Sequence, residues 1–305
     1  MEFFSHKTKI NFIGQRKYAW MFSIFLFIFS LSSLVWNGLN LGLDFVGGTQ
    51  IQVQYQEAPD ANHVRQQLAA ADFPEAAVQT YGSARDLMIK VKAHKDLTSA
   101  ELTAKVLAAV PDAKLQRVEY IGPQIGKTLV TNGILAVIVA LLGTMLYIAF
   151  RFEYRFALSS ALSLVHDPIL ILGLFSFFHV EFDLVALAAV LTVIGYSLNE
   201  TIVIYDRVRE NFRKVRQASS IEILNLSVNQ TLSRTIITAG LTFSVILALL
   251  IFGGQMLRGF SLAMMIGIVT GTYSSIYIAG SLAILFGLDR SRLIPVSKKY
   301  VDNMP

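Results

Sequence analysis

Four stretches of the chain carry no charged side chain at all: Tyr18–Trp36, Thr128–Phe150, Thr235–Leu257 and Gly259–Leu288. Each is near or above the roughly 20 residues that carry an α-helix across a hydrocarbon layer. Two further apolar stretches have charges inside them, Phe156–Phe178 with His166 and Asp167, and Leu184–Tyr205 with Glu200. The pattern predicts a polytopic α-helical membrane protein with six transmembrane helices. The first stretch is long for a signal-peptide core and lacks a small-x-small cleavage site before Trp36 and Asn37, so it is expected to stay as an anchor.

Between the first and second spans the period changes. Thr49–Gln56 alternates Ile51, Val53 and Tyr55 with polar neighbours as a strand, and Ala58–Ala71 has helical spacing with His63 and Arg65 on its polar side. Val78–Tyr81 and Leu87–Val91 flank the turn residues Gly82 and Ser83. A second helix is expected over Thr98–Val110, where Thr98 and Glu101 form a capping box, and Leu115–Ile121 reads as a closing strand. The order βαββαβ predicts one α+β ferredoxin-like domain over residues 38–126. After the fourth span, Ser219 and Glu222 form another capping box, and Ile221, Leu224, Val228 and Leu232 suggest a short interfacial helix leading into span five.

Composition and charge agree with the hydropathy pattern and add an orientation. The 305 residues are 54% hydrophobic and 15% charged, with mean hydropathy +0.54. No cysteine is present, which removes disulfides, thiol nucleophiles and zinc–thiolate sites. Basic residues precede span one (Lys7, Lys9, Arg16, Lys17), join spans two and three (Arg151, Arg155), and follow span four (Arg207, Arg209, Arg213, Lys214, Arg216). The opposite loops hold only Arg258. Both termini are therefore expected in the cytoplasm and the 38–126 domain outside. The expected organisation is a cytoplasmic N-terminus (1–17), span one (18–37), the exported domain, spans two to six over 127–288 with a basic cytoplasmic loop at 206–230, and a cytoplasmic tail (289–305). The net charge of +5 belongs to this topology and not to a nucleic-acid surface.

The membrane charges are the candidate chemistry. Glu200 would lie roughly 7–8 Å in from the cytoplasmic end of span four, and Arg234 roughly 5 Å in from the start of span five. An ion pair between them would favour the charged carboxylate and burial the neutral one, so Glu200 is a candidate to change protonation state or a partner in a fixed bridge. Asn199 could bridge to another span. Asp206 and Arg207 stand seven residues further on, as an extension of a polar path or as ordinary snorkelling groups. His166, Asp167 and Pro168 lie mid-span, where Asp167 is either a second protonatable site or structural support at a proline kink. Gly267 and Gly271, followed by Ser274, Ser275, Ala279 and Gly280, predict close helix packing. Neither a metal-binding cluster nor a serine elbow occurs in a span, and no enzymatic activity is expected.

Leu43-Asp44-Phe45-Val46-Gly47-Gly48-Thr49, His166-Asp167-Pro168, and Gly195-Tyr196-Ser197-Leu198-Asn199-Glu200-Thr201 running on to Asp206-Arg207-Val208-Arg209-Glu210-Asn211 resemble the SecF members of the SecD/SecF family. The resemblance covers essentially the whole chain. It implies a fold of the resistance-nodulation-division type and a role, driven by the proton-motive force, in Sec-dependent export across the bacterial inner membrane. It implies SecD, the SecYEG translocon with SecA and YajC, and an unfolded exported protein as partners, with no cofactor beyond a coupling ion, H+ before Na+. It assigns the functional charges to Glu200 and Arg234, and the Asp-Phe-x-Gly-Gly signature to Asp44, Gly47 and Gly48. Many members have Asp where this chain has Glu200. A small-solute exporter of the same superfamily is the alternative, and a passive scaffold a third.

Overall fold

The computed structural model describes residues 8–93, 97–215 and 217–289; Lys7, Arg216 and the tail beyond Asp289 lie outside them. Among the described residues, six helical rods are long and apolar enough to cross a membrane. They are α1 (Arg16–Asn37), α5 (Pro123–Arg151), α6 (Tyr154–Phe177), α7 (Leu184–Lys214), α8 (Ser220–Phe252), and a sixth rod. The last comprises α9 (Arg258–Tyr273), a π-helical turn (Ser274–Ala279) and α10 (Gly280–Leu285). The inner helices are α6, α7 and the sixth rod, while α1, α5 and α8 direct most of their apolar side chains outward.

The predicted small-residue face is where the sixth rod meets its neighbours. A methyl at Gly267 would lie 2.2 Å from Val193, and one at Gly280 would lie 2.6 Å from Leu224. Helix α1 packs on α6 in the same way, with Gly173 against Ser30. Without a hydrophobic driving force in lipid, such close backbone approach supplies the dispersion contacts that hold spans together.

A short helix, α2 (Leu43–Val46), leads into the sheet domain of β1 (Gly48–Gln54), α3 (Ala61–Ala70), β2 (Ala77–Tyr81), β3 (Ser83–Lys92), α4 (Ser99–Ala109) and β4 (Lys114–Ile121). The sheet order is β2-β3-β1-β4, antiparallel throughout, as the βαββαβ pattern requires for a ferredoxin-like unit. Alternation sorts its two faces. Ile51, Val53, Leu87, Ile89 and Val91 join Val64, Leu68, Leu102 and Val106 in a closed core beneath α3 and α4. On the other face, Gln50, Gln79, Met88 and Lys90 look toward the membrane helices.

Three boundaries differ from the hydropathy pattern. The domain ends at Gly122 and not at residue 126, because Pro123 occupies the first turn of α5, where its missing N–H costs nothing. The segment 206–230 is mostly helical, since α7 runs on to Lys214. The separate interfacial helix does not exist. Ile223, Leu224 and Val228 are buried in the bundle, and α8 continues unbroken from its Ser219–Glu222 capping box into the span. Asn225 and Asn229 on this extension clamp the chain ahead of α1, with Asn229 Oδ1 accepting from the Ile10 N–H at 2.9 Å and both amides donating to the Ile10 carbonyl. Ser219→Ala is expected to lower the thermal stability of the protein by about 1 kcal/mol through loss of this cap, measured as a shift of the unfolding midpoint in detergent.

Candidate functional site: membrane carboxylates and the joint to the sheet domain

Glu200 is buried on the inner side of α7. Its two carboxylate oxygens accept hydrogen bonds from α8, Thr235 Oγ1 to Oε2 at 2.8 Å and Thr238 Oγ1 to Oε1 at 2.9 Å. The Thr238 hydroxyl also has two carbonyl acceptors at hand, Arg234 O at 2.9 Å and Thr235 O at 3.1 Å. The hydroxyls of Tyr196, one turn back along α7, and of Thr272 on α9 are buried close to this threonine cluster.

The expected ion pair between Glu200 and Arg234 is not formed. The Arg234 side chain is exposed and makes no hydrogen bond or ion pair among the described residues. The reason is rotation about the helix axis. Successive residues are ~100° apart, so the turn that points Thr235 at α7 points Arg234 away. Asn199 is likewise turned outward beside Glu200 and bridges to no other span among the described residues.

Asp206 and Arg207 extend no path to Glu200. Asp206 is bound to Arg151 at 3.2 Å, and Arg207 to Glu210 at 2.6 Å and Gln230 at 2.7 Å, all half-exposed at the bundle end where α1 starts and α7 stops.

A second carboxylate is more deeply enclosed. Asp167 has no solvent exposure, and three helices converge on it. Its Oδ2 accepts from Ser197 Oγ of α7 at 2.6 Å and from Ser274 Oγ of the π-helical turn at 2.9 Å. Its Oδ1 lies 3.0 Å from His166 Nδ1, and His166 Nε2 lies 2.7 Å from Ser23 Oγ of α1. Next to it, Ser275 Oγ lies 2.9 Å from Thr201 Oγ1 of α7. Of the serines that the sequence presents as a packing face, Ser274 is thus also a hydrogen-bond donor to a buried carboxyl, while Ser275 joins the sixth rod to α7. A π-helical turn shifts side-chain directions locally and is frequent at functional positions. Helix α6 runs unbroken through Pro168. No group of three or more His, Asp or Glu side chains able to hold a metal occurs among the described residues.

The sheet domain is fastened to the helix that carries Glu200. Asp44 Oδ2 accepts from the Leu184 N–H at 3.1 Å, and Asp183 Oδ1 accepts from the Ala186 N–H at 2.8 Å. Two carboxylates thus sit on the positive end of α7. Phe182 exchanges backbone bonds with Asn40 and Gly42, and Phe45 stacks on Phe182 at 6.0 Å. Across a cleft of about 490 Å3, Lys90 of β3 reaches Glu181 at 2.9 Å, with Gln79 beside it at 3.4 Å. Gly47 and Gly48 make the turn from α2 into β1. Gly47 has φ +83°, which favours glycine, and a methyl on Gly48 would lie 2.4 Å from the Val91 carbonyl oxygen.

Burial pushes the Asp183 carboxyl above its ordinary range, and Glu181 and Asp44 push the same way, against the opposing pull of the Ala186 N–H and Lys90. A raised folded-state value means that this group's contribution to stability is full at low pH and is lost as pH rises through the shifted value. Asp183→Asn keeps a capping oxygen and removes that loss. Its thermal midpoint relative to the parent is expected to improve from acidic to neutral pH, measured as unfolding in detergent at the two pH values.

The GG-motif family of SecD/SecF matches residues 33–59, and the family described as "Protein export membrane protein SecD/SecF, C-terminal" matches residues 101–289. The chain belongs to the SecD/SecF family. It is 48% identical over 303 residues to the protein translocase subunit SecF of Pseudomonas aeruginosa, covering 97% of this chain and 98% of that one. The SecF of Escherichia coli O157:H7 is 40% identical over 301 residues, covering 96% and 93% of the two chains. In structure the chain resembles SecDF of Thermus thermophilus, described as a translocon-associated membrane protein, with TM-score 0.80 and 36% identity over 93% of this chain. A super-membrane-facing form of SecDF gives TM-score 0.72. The chain spans 39% of the SecDF chain. As a SecF-type, multi-pass membrane protein with six apolar helices, it acts in Sec-dependent protein translocation.

Proposed function

We propose that this chain is the SecF half of a SecD/SecF assembly in the bacterial inner membrane and that it draws on the proton-motive force through Glu200. In this reading both termini are cytoplasmic, the sheet domain faces the periplasm, and SecYEG with SecA and YajC is the translocation machinery served. It is a transport subunit and not an enzyme. The basic residues gathered at the bundle end where α1 starts and α7 stops support that orientation.

The observation that carries the proposal is the setting of Glu200. A carboxylate inside a membrane bundle is costly, ~2.5–3.5 kcal/mol on insertion scales. This one is bound by two hydroxyls of a neighbouring helix, not by a fixed cation. When it takes up a proton at Oε1, the new O–H donates to Thr238 Oγ1, and Thr238 turns its own hydrogen to the Arg234 carbonyl already 2.9 Å away. No buried group is orphaned by the change. The two charge-assisted bonds between α7 and α8 become neutral ones, roughly half as strong. Helix α7 is continuous from Glu200 to its Asp44 cap, so a shift against α8 reaches the sheet domain through one rigid element. A proton crossing 100 mV releases ~2.3 kcal/mol, enough to tip a balance of that size.

Arg234 and Asn199, both facing outward, support SecD as the element packed there, since a membrane charge and an amide turned to lipid are unfavourable. The test is a Thr235→Val/Thr238→Val protein assembled with its partner. Without either donor the ionised carboxylate is left unsatisfied at about 1–3 kcal/mol per lost bond. Proton-driven stimulation of export is expected to fall 10-fold or more, as a loss of about 1.4 kcal/mol is a tenfold change. The corresponding double serine variant should retain it. Unimpaired stimulation in the valine protein would refute the proposal.

A further inference from the structure

The Asp167–His166 pair is used by nothing above, and its hydrogen bonds suit two protonation states equally well. With Asp167 ionised, His166 Nδ1–H donates to Oδ1 across 3.0 Å and Ser23 donates to Nε2 across 2.7 Å. If a proton arrives at Nε2 and the Nδ1 proton crosses to Oδ1, the same heavy atoms stay bonded with every direction reversed. Asp167 Oδ1–H then donates to Nδ1, and Nε2–H donates to Ser23 Oγ. One proton enters at Nε2 and one leaves Nδ1, so histidine ends neutral in its other tautomer and the carboxyl is neutral. Ser197 and Ser274 serve Oδ2 in both states.

The ring is also held for this exchange. Phe27 stacks on it at an interplanar angle of 5°, fixing its plane while leaving both nitrogens bonded. A purely structural carboxylate would need only its two serine donors and no histidine whose far nitrogen leads to another helix. The titratable groups nearest the pair on the helices packed around it are Glu200 and Tyr196 on α7, Tyr273 on α9 and Tyr277 in the π-helical turn, with Tyr205 and the charges that follow it further along α7. Helices α1 and α5 carry theirs only near their ends. No Lys or Arg side chain is bonded to Asp167 among the described residues.

We propose that Asp167 and His166 form a second proton-loading site of this chain, entered from the Ser23 side of α1 and read by α7 and the sixth rod through Ser197 and Ser274. It deepens the proton-coupled reading given for Glu200 and stands one turn away from it on α7, Ser197 to Glu200. It is tested separately from that reading.

The assay is nitrogen-15 magnetic resonance of histidine-labelled protein, assembled with its partner in lipid, across a pH titration. His166 is expected to switch from the Nδ1–H to the Nε2–H tautomer as the pH falls. The switch should persist in Glu200→Gln, whether or not that variant still couples export to protons, and it should vanish in Asp167→Asn, which keeps the side-chain shape. Ser23→Ala removes the partner of Nε2 in both forms, and because a buried N–H without an acceptor is the costlier orphan it is expected to displace the switch to lower pH, an independent check if the asparagine protein folds poorly. A single tautomer throughout the titration of the parent would overturn the proposal, and so would an unchanged switch in Asp167→Asn or Ser23→Ala.

Discussion

Glu200→Gln is expected to abolish proton-driven stimulation of export while leaving the assembly intact. The amide is nearly isosteric and its oxygen still accepts from one threonine, so the contact between α7 and α8 survives in a permanently neutral form. What is lost is the alternation. The protein should co-purify with its partner at parental levels and support only the stage of export that needs no proton gradient. Glu200→Asp separates charge from reach. Shortening the side chain by one methylene withdraws the carboxylate from Thr235 and Thr238, which lie at 2.8 and 2.9 Å, so partial coupling is expected. Loss of assembly in Glu200→Gln would instead make the residue a packing element, and co-purification beside proton-dependent export distinguishes the two outcomes.

Gly48→Ala is expected to have the largest effect on stability. Its methyl would fall 2.4 Å from the Val91 backbone oxygen and 2.7 Å from Leu43. The first neighbour is main chain held in the β1–β3 ladder, where Thr49 faces Val91, so it has no rotamer by which to retreat. Overpacking of this kind costs about 1–3 kcal/mol, and more where backbone is the obstacle. Displacing β1 from β3 also displaces α2, which carries Asp44 onto the end of α7. Gly48→Ala should therefore lower both the unfolding midpoint and export activity. Gly143→Ala, in the middle of α5 with open space around it, should be neutral or stabilising by up to about 1 kcal/mol. Equal midpoints for the two alanine variants would contradict the packing argument.

These effects differ in how far the sequence foretells them. The sheet domain is legible because period-two alternation and the Thr98–Glu101 box are local, and the structure reproduces their order and cap. Glu200 is legible as a cost, a carboxylate amid apolar neighbours. Its partners are not, because depth in the membrane is read from residue count while facing direction depends on helix rotation. Arg234 and Thr235 are adjacent in depth and point to different surroundings. Asp167 is legible as a charge, but its serine donors, Ser197 and Ser274, come from two other spans, and nothing local marks which of many serines will converge. The π-helical turn that places Ser274 leaves no periodic trace in so apolar a stretch. The merging of the interfacial helix into α8 has the same origin. Amphipathic spacing shows that one side is buried, and only the fold shows that it is buried by protein.

The central claim is that the protonation state of Glu200 sets the position of the sheet domain through α7. The chain contains no cysteine, so paired spin labels can be introduced directly. Gln66→Cys, exposed on α3, and Phe178→Cys, exposed where α6 ends, report the distance between the domain and the membrane helices. In the assembled protein in lipid, that distance distribution is expected to shift as the pH is lowered. It should stay fixed at the low-pH position in Glu200→Gln at every pH. A pH-dependent shift of the same size in Glu200→Gln would contradict the account.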